Sequence, residues 1–443
     1  MFKTLKNAFK TPEVRKRILY TLLLIVIFRL GCFITVPGVD TFALEESMSN
    51  SANSVTGIIN TISGGAFSRL SVFSMSISPY ITAQIVVQLL AMIIPSLEKL
   101  RKEGGEVAKR KMNKYTKILC VILSLIEGLG IYISYSKSGS SIFIDNSFFT
   151  ALLVVGSFMA GTAALIWLGE EITEKGIGNG ISMLIFVGII SRLPATLPKL
   201  WNLIASPSGF STVGFVTVIG IVIGAILLVA GVVFVQDAER RVPVQYAKKV
   251  VGRKMYGGNN THIPMKLAMA GVMPIIFASS FMTFPAIAIQ IFGSSQIGTG
   301  SFWDKVYNFS NATSSSSVAI GYTIANALVY FLLIVGFTYF YTFATFNPAE
   351  VATQIKQNGG FIPGIRAGKP TSDYLTSILT KITLFGSVFL SIIAILPMLM
   401  RFTGLNLSFG GTSILIVVGV ALETVTQLES LLVMRHYKGF LKK

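Results

Sequence analysis

The sequence predicts an all-α membrane protein with ten transmembrane helices in two five-helix halves, and three observations support this fold class. First, 52% of the 443 residues are hydrophobic and only 13% are charged, whereas soluble domains carry about 25% charged residues. Second, apolar runs of about 20 residues, the length that spans a bilayer, recur along the whole chain. Third, Lys and Arg are concentrated in alternate connections between these runs.

The apolar runs define ten predicted spans, each helical because unpaired backbone groups are too costly in lipid. Their approximate ranges are 18–36, 75–95, 115–135, 149–168, 180–197, 213–235, 266–292, 318–345, 376–400 and 409–433. The first run follows the basic segment MFKTLKNAFKTPEVRKR and is long enough to remain in the bilayer, so we do not expect it to be a cleaved signal peptide.

The distribution of positive charge predicts the orientation. With the N-terminus in the cytoplasm, the cytoplasmic segments hold 30 Lys and Arg residues and the outer connections hold five. Such an asymmetry predicts that both termini are cytoplasmic. Two cytoplasmic connections, 236–265 and 346–375, are long and basic. Short loops are enough to set topology, so we expect these two connections to bind a partner.

The ten spans divide evenly around residues 198–212, into an N-terminal half at 1–200 and a C-terminal half at 201–443. An odd number of spans per half inserts a duplicated half upside down, which is the geometry of inverted repeats. The second span of each half is interrupted by Pro, in SISPYITAQ and in AGVMPIIFASSFMTFP. Interrupted spans tend to line a path, so the sequence predicts a translocation pathway between the halves.

Motifs for catalysis and for cofactor or metal binding do not match this chain. PGIRAGKPT at 363–371 departs from a phosphate-binding loop, because Pro363 and Pro370 replace the first glycine and the final Ser or Thr. The two histidines, His262 and His436, are far apart in sequence, so no metal site is predicted. We therefore expect no enzyme and no cofactor, and any transport must be powered by a partner.

An alternative from another class stays open at this point: a secondary transporter of a small solute, which can also be built from inverted repeats. Such a transporter should carry charged or ion-coordinating groups at its interrupted spans. Here these segments carry Ser, Thr, Gln and Ile, which favours a passive channel.

Several long motifs, in the same order along the chain, resemble the SecY family of protein-conducting channels. These are SGGAFSRLSVFSMSISPYITAQIVVQLL at 63–90, EITEKGIGNGIS at 171–182, QYAKK at 245–249, MAGVMPIIFASS at 269–280, FNPAE with PGIRAGKPTSDYL within 346–375, and FGGTSILIVVGV at 409–420. The resemblance implies a channel that moves unfolded secretory polypeptides across the membrane and releases transmembrane segments laterally into lipid. The SecA ATPase or the translating ribosome would drive it.

The resemblance also implies an aliphatic ring in the middle of the membrane and a plug outside it. The matching ring positions are Ile77, Ile81, Ile181, Ile185, Ile276 and Ile416. Ile77 and Ile81, like Ile181 and Ile185, are spaced so that each pair shares one helix face. The plug would be a short re-entrant helix at about 57–71 that includes Gly64, Gly65 and Arg69. We expect it to be weakly packed, because it must leave when substrate enters.

A lateral gate is implied between the second and third spans on one side and the seventh and eighth on the other. Its candidate residues, expected to hydrogen-bond across the helix pair, are Thr82, Gln84, Gln88, Ser279, Ser280 and Thr283. The candidate residues for docking SecA or the ribosome are Lys248, Lys249, Arg253, Lys254 and Arg366. Further implied partners are the SecE and SecG subunits, signal-sequence-bearing preproteins and the lipid bilayer, in a bacterial inner membrane.

Overall fold

The structure is a computed structural model of the chain. It describes residues 8–40, 44, 64–102, 105–137, 142–145, 147–206, 209–210, 212–246, 249–251, 254–256, 260–292, 300–311, 320–400 and 411–440. The helices are α1 Pro12–Gly31, α2 Ser78–Ile93, α3 Pro95–Lys102, α4 Gly105–Lys137, α5 Phe148–Lys175, α6 Gly180–Ile190, α7 Leu193–Ile204, α8 Thr212–Asp237, α9 Met273–Phe292, α10 Phe302–Asn311, α11 Ile320–Thr345, α12 Pro348–Gln357, α13 Lys369–Met400 and α14 Gly411–Phe440.

A helix lies at each of the ten predicted spans, which confirms the predicted fold class. These helices are α1, α2, α4, α5, α6, α8, α9, α11, α13 and α14. Six regions are apolar and long enough to cross a membrane: 110–133, 148–175, 212–237, 320–357, 369–396 and 413–432. The helices α2, α6 and α9 contain shorter apolar stretches. These three carry most of the predicted ring residues, so they are the helices nearest the candidate site.

Two predicted span boundaries differ from the structure for identifiable reasons. The fifth span was predicted at 180–197, but α6 ends at Ile190 and the chain turns before α7 begins at Leu193. Pro194 is the second residue of α7, where its missing N–H costs nothing, whereas it would interrupt a continuous helix. The helix α13 begins at Lys369, well before the predicted apolar run at 376, because Leu375 in its first turns packs against Val242 and Val244 of the sheet described next.

The two long connections at 236–265 and 346–375, predicted as loops, are joined by a three-stranded sheet. Its strands are β3 Glu239–Tyr246, β6 Asn260–Lys266 and β7 Gly360–Phe361. Two separate two-stranded sheets are formed by β1 Ala205–Ser206 with β2 Gly209–Phe210 and by β4 Lys249–Val251 with β5 Lys254–Tyr256. The strand β3 pairs antiparallel with β6 along its length and with β7 at its end. Val242 and Val244 point into a core with Met265 and Leu375, so the two connections are one packed unit.

The repeat geometry is visible where each half enters its second helix. Residues 72–77 precede α2 and residues 267–272 precede α9, and both segments consist of turns. A Cβ on Gly161 of α5 would overlap with the carbonyl oxygen of Val72. In the other half, a Cβ on Gly386 of α13 would lie 2.5 Å from the carbonyl oxygen of Leu267. A glycine on the fourth span of each half, α5 or α13, therefore packs against the corresponding backbone carbonyl.

The hydrogen bonds of these two segments also correspond. The Ser76 amide donates to the Phe73 carbonyl at 2.9 Å, and the Gly271 amide donates to the Ala268 carbonyl at 3.0 Å. Ser76 and Gly271 both have positive φ, +52° and +58°. Each segment therefore makes the same turn before its helix, which is what an internal repeat requires.

Candidate functional site

Four helices bring six isoleucine side chains to one buried apolar cluster. These side chains are those of Ile77 and Ile81 at α2, Ile181 and Ile185 on α6, Ile276 on α9 and Ile416 on α14. Five of them are at most 8% exposed, and Ile181 packs against the same cluster. All the residues predicted for the ring thus belong to, or pack against, one large apolar core. Their role as a pore constriction stays a prediction.

Proline determines where two of these helices begin. Pro79 and Pro274 are each the second residue of their helix, α2 and α9, a position where proline's fixed φ suits the helix and no amide is missed. The amide of Ile81 donates to the carbonyl oxygen of Ile77 at 3.0 Å, in the first turn of α2. Ile276 follows Pro274 as Ile81 follows Pro79. Pro79 and Pro274, predicted to break the spans, therefore start them and place one predicted ring isoleucine in each first turn. Pro285, at the end of the second interrupted stretch, lies inside α9.

A loop between α5 and α6 positions the other ring residues. The side chain of Asn179 caps α6, where its Oδ1 accepts from the amides of Ile181 and Ser182 at 3.2 and 3.4 Å. The amide of Gly178 donates to Oε1 of Gln427 on α14 at 2.8 Å. This bond joins the helix that carries Ile181 to the one that carries Ile416, across the two halves of the chain.

The chemistry of the cluster is that of a seal. Isoleucine side chains offer water and ions no hydrogen-bond partner, so a narrow passage lined by them resists hydration. Branched aliphatic side chains pack densely but carry no fixed charge.

The outer segment, residues 64–77, leads from the predicted plug into α2. Gly64 and Gly65 have φ of +66° and +92°, in the left-handed region that favours glycine. Arg69 ends a short 3₁₀ turn, Phe67–Arg69, with its guanidinium carbon 4.6 Å from the ring centroid of Phe33. A plug helix over 57–71 was predicted. Within its described residues, 64–71, the helical part is this one turn, and residues 57–63 lie outside the described residues.

The packing of the outer segment is tighter than expected for a weakly held plug. Leu70 is fully buried, and its carbonyl accepts from the amide of Val36 at 3.0 Å. The amide of Val72 donates to the carbonyl of Ile34 at 2.9 Å. These backbone pairs attach residues 70–72 to the chain that follows α1. The expectation of weak packing is therefore wrong for this part of the segment.

The helices predicted to form a lateral gate are in contact: α9 packs against α2 and α4, and also against α11. For three of the six predicted gate residues, the side-chain hydrogen bond lies within one helix. The hydroxyls of Thr82, Ser279 and Thr283 donate to the carbonyls of Ser78, Ile276 and Ser279 at 3.1, 2.9 and 2.8 Å. The side chains of Gln84, Gln88 and Ser280 are half-buried. Threonine and serine in a helix readily donate to the preceding turn, which leaves the seam to apolar packing.

The residues predicted to dock a partner lie on the cytoplasmic connections. Lys248 and Arg253 lie outside the described residues, while Lys249 and Lys254 are the first residues of the paired strands β4 and β5. Arg366 is exposed, and its carbonyl accepts from the Thr371 hydroxyl at 2.8 Å. The sheet places the two connections side by side, and docking at these residues stays a prediction.

Several residues that shape the site were missed from sequence. Arg29 on α1 donates from Nη1 to the Gly64 carbonyl and to the Ser191 hydroxyl. An arginine inside an apolar run is a signal in itself, since a charge in a span is costly without partners. Gly161 and Gly386 carry no such signal, because a glycine in a membrane helix is common.

Three kinds of comparison relate the chain to known proteins. A family model described as SecY matches residues 71–425. The chain is 43% identical to "Protein translocase subunit SecY" of Streptomyces scabiei and 42% identical to the same-named protein of Mycobacterium tuberculosis strain H37Rv, with all of each chain covered. A structure titled "The structure of a protein conducting channel" matches with a TM-score of 0.67 and 19% identity, covering 94% of this chain and 92% of that one. "Sec61 in the Canine ribosome-channel complex from the endoplasmic reticulum" matches with a TM-score of 0.64, at 18% identity and the same coverage.

Proposed function

Since the chain belongs to the SecY family, we infer that it forms a protein-conducting channel through which unfolded secretory polypeptides cross the membrane. The observation that carries this function is the convergence of six isoleucine side chains from four helices in one buried cluster. An aliphatic constriction resists ions by excluding water, yet it imposes no charge preference on the polypeptide that passes. Membership of this family also disfavours a secondary transporter of small solutes.

The constriction is closed from outside by a plug that includes Gly64, Gly65 and Arg69. The continuity of the outer segment with Ile77, the first ring residue, supports this assignment, because the segment ends where the constriction begins. Displacement of the plug and separation of the isoleucines open the channel together.

Transmembrane segments of the substrate leave through a lateral gate between α9 and the pair α2 and α4. The packing of α9 on both helices supports this location. Since the hydroxyls at this seam donate within their own helices, mostly apolar contacts hold the gate. A hydrophobic segment can replace such contacts at little cost, because lipid and side chains are similarly apolar.

The chain itself acts as a conduit rather than as an enzyme, and partners supply the energy. The SecA ATPase or the ribosome docks on the basic cytoplasmic connections, at Lys248, Lys249, Arg253, Lys254 and Arg366. The three-stranded sheet supports this, since it joins both connections in one platform. Acidic protein surfaces and RNA are both attracted to such a platform. The structure titled for the canine ribosome complex contains a related channel with a ribosome.

SecE and SecG complete the complex in the inner membrane of a bacterium, with both termini of this chain in the cytoplasm. The excess of Lys and Arg in the connections on that side supports the orientation. The SecY relatives from Streptomyces and Mycobacterium support a bacterial membrane.

Reconstitution tests the function. Proteoliposomes that contain the chain with SecE and SecG, supplied with SecA, ATP and a secretory preprotein, should protect the preprotein from added protease. Protection should require ATP and an intact signal sequence. The Arg366→Ala variant should lose most of this activity, whereas Lys356→Ala, an exposed lysine in the same connection, should retain it. Absence of ATP-dependent protection in the wild-type complex would contradict the channel function.

A further inference from the structure

Arg29 joins three separate elements near the end of α1. Its Nη1 donates to the carbonyl oxygen of Gly64 at 3.1 Å and to Oγ of Ser191 at 2.9 Å. Ser191 is the C-cap of α6, and its hydroxyl donates to the carbonyl of Gly188 at 2.7 Å, so its oxygen acts as the acceptor for Arg29. One guanidinium therefore links α1, the outer segment and α6.

The backbone at Gly64 is shaped for this contact. A Cβ on Gly64 would lie 2.8 Å from Oγ of Ser191 and 2.9 Å from Nη1 of Arg29. The φ of +66° adds a second obstacle to any L side chain. The glycine thus lets its carbonyl approach the guanidinium more closely than any other residue could.

The electrostatics of the position favour an arginine. The guanidinium lies at the C-terminal ends of both α1 and α6, where the helix dipole is negative. Its hydrogen bonds are charge-assisted, and its donors are held in a fixed geometry that lysine lacks. Phe33 adds a second link to the segment, because its ring centroid is 5.6 Å from the Arg29 guanidinium carbon and 4.6 Å from that of Arg69.

The two parts of the outer segment are held by different kinds of contact. Residues 70–77 are held by backbone hydrogen bonds to the chain after α1 and by close packing against Gly31 and Gly161. Residues 64–69 are attached to α1 and α6 through the side chains of Arg29 and Phe33. Ala66 and Phe67 are buried, and the Ser71 amide and the Ser74 hydroxyl each donate to the Ala66 carbonyl at 3.1 Å, so movement of residues 64–69 must also break these two hydrogen bonds. Between the parts lies Leu70, whose φ of +40° is left-handed, a conformation that costs a non-glycine residue free energy.

We propose that Arg29 is a latch that holds residues 64–69 against α1 and α6 in the closed channel. When the latch releases, these residues turn about Leu70, while residues 71–77 remain fixed to the channel wall. Arg29 is thus a positioning residue for closure. The proposal rests on the proposed function, in which this segment belongs to the plug.

Hydrogen–deuterium exchange of the full chain, in its complex and in lipid nanodiscs, tests the latch directly. In Arg29→Gln, amides 65–70 should exchange about tenfold faster than in the wild type, as expected when a charge-assisted hydrogen bond is lost. Amides 72–77 should keep their exchange rate, because their contacts are unchanged. Ser191→Ala removes one of the two acceptors and should give a smaller increase in the same peptides. Arg17→Gln, at the exposed cytoplasmic end of the same helix, is the matched control and should leave these peptides unchanged.

Unchanged exchange at 65–70 in Arg29→Gln overturns the latch, as does an increase of equal size at 72–77. Should Arg29→Gln fail to assemble, Gly64→Ala displaces the same carbonyl while it keeps the charge, and the same exchange pattern is expected. Ion conductance in planar bilayers separates the latch from the proposed function. Faster exchange with increased resting conductance supports both. Faster exchange with unchanged conductance supports the latch and contradicts the assignment of this segment as a plug.

Discussion

The segments that lead into α2 and α9, residues 72–77 and 267–272, follow the same backbone path with different side chains. At the left-handed position of this path the second segment has Gly271, while the first has Ser76. A non-glycine residue there costs about 1–2 kcal/mol. The hydroxyls of Ser71 and Ser76 are also buried without a hydrogen bond among the described residues, which adds to the cost. The first segment therefore carries strain that the second avoids, and it is the one joined to the predicted plug.

This difference suggests that strain is concentrated where the molecule must move. A strained conformation persists when surrounding packing holds it, and the contacts at Gly31 and Gly161 provide that packing. Four pairs of substitutions, from the largest expected effect to the smallest, test how far the two halves are equivalent.

Alanine in place of Gly161 or Gly386, the glycines that contact the carbonyls of Val72 and Leu267, should have the largest effect on stability. The Cβ of Gly161→Ala would overlap with a backbone carbonyl, so we expect a loss of unfolding free energy of about 3 kcal/mol or more. The Cβ of Gly386→Ala would lie 2.5 Å from its carbonyl, and we expect a loss of about 1–3 kcal/mol. Thermal unfolding in detergent measures both. Gly156→Ala and Gly336→Ala, where a Cβ meets nothing within 4 Å, are the controls, and equal losses in the controls would refute the explanation.

Asparagine at the paired ring positions should open the seal from either half. Ile81→Asn and Ile276→Asn each place an amide in the apolar cluster, which gives water a hydrogen-bond partner and should increase resting ion conductance by similar factors. Single-channel recording in planar bilayers measures this. Ile392→Asn on the exposed face of α13 should not change conductance. An increase for only one of the two ring variants would show that the halves contribute unequally.

Swapping the residue types at the two positions with left-handed backbone, Ser76 and Gly271, tests the strain itself. Ser76→Gly relieves the positive φ and removes an unpaired buried hydroxyl, so it should stabilise the protein by about 1 kcal/mol after the entropic cost of glycine. The reciprocal Gly271→Ser should destabilise by a similar amount. The midpoints of thermal unfolding of both variants measure the effect. Destabilisation by Ser76→Gly would mean that the serine makes a compensating contact.

Removal of the hydroxyls of Thr82 and Thr283 at the proposed gate should have the smallest effect on channel opening. In Thr82→Val and Thr283→Val, one on each side of the seam, the lost hydrogen bond is within a single helix. The ratio of open to closed channels should therefore change by less than about threefold, which corresponds to the roughly 0.6 kcal/mol of an average interhelical bond. A larger change, seen as open probability in planar bilayers, would indicate that these hydroxyls bond across the seam in another state.

Spacing alone places Ile77 with Ile81 and Ile181 with Ile185 on shared helix faces. The assignment of all six isoleucines to one ring came from the resemblance to the SecY family, because these residues are spread from position 77 to position 416. Long-range contacts could not be predicted in this way. The bond between Gly178 and Gln427 joins residues 249 positions apart in the sequence, and neither residue type indicates such a partner. The three-stranded sheet was missed because β3 shows only two buried alternating valines, Val242 and Val244, around a proline.

By itself, the sequence determined the ten spans, their predicted orientation and the presence of a proline in the second span of each half. These features depend on local hydrophobicity, charge and backbone restriction, which each stretch of chain carries on its own. Only the tertiary structure decided which carbonyl packs against Gly161 and which hydroxyl accepts a hydrogen bond from Arg29. It also decided why Gly64 must lack a side chain. Those contacts depend on the close approach of helices from distant parts of the chain, and packing alone sets that approach.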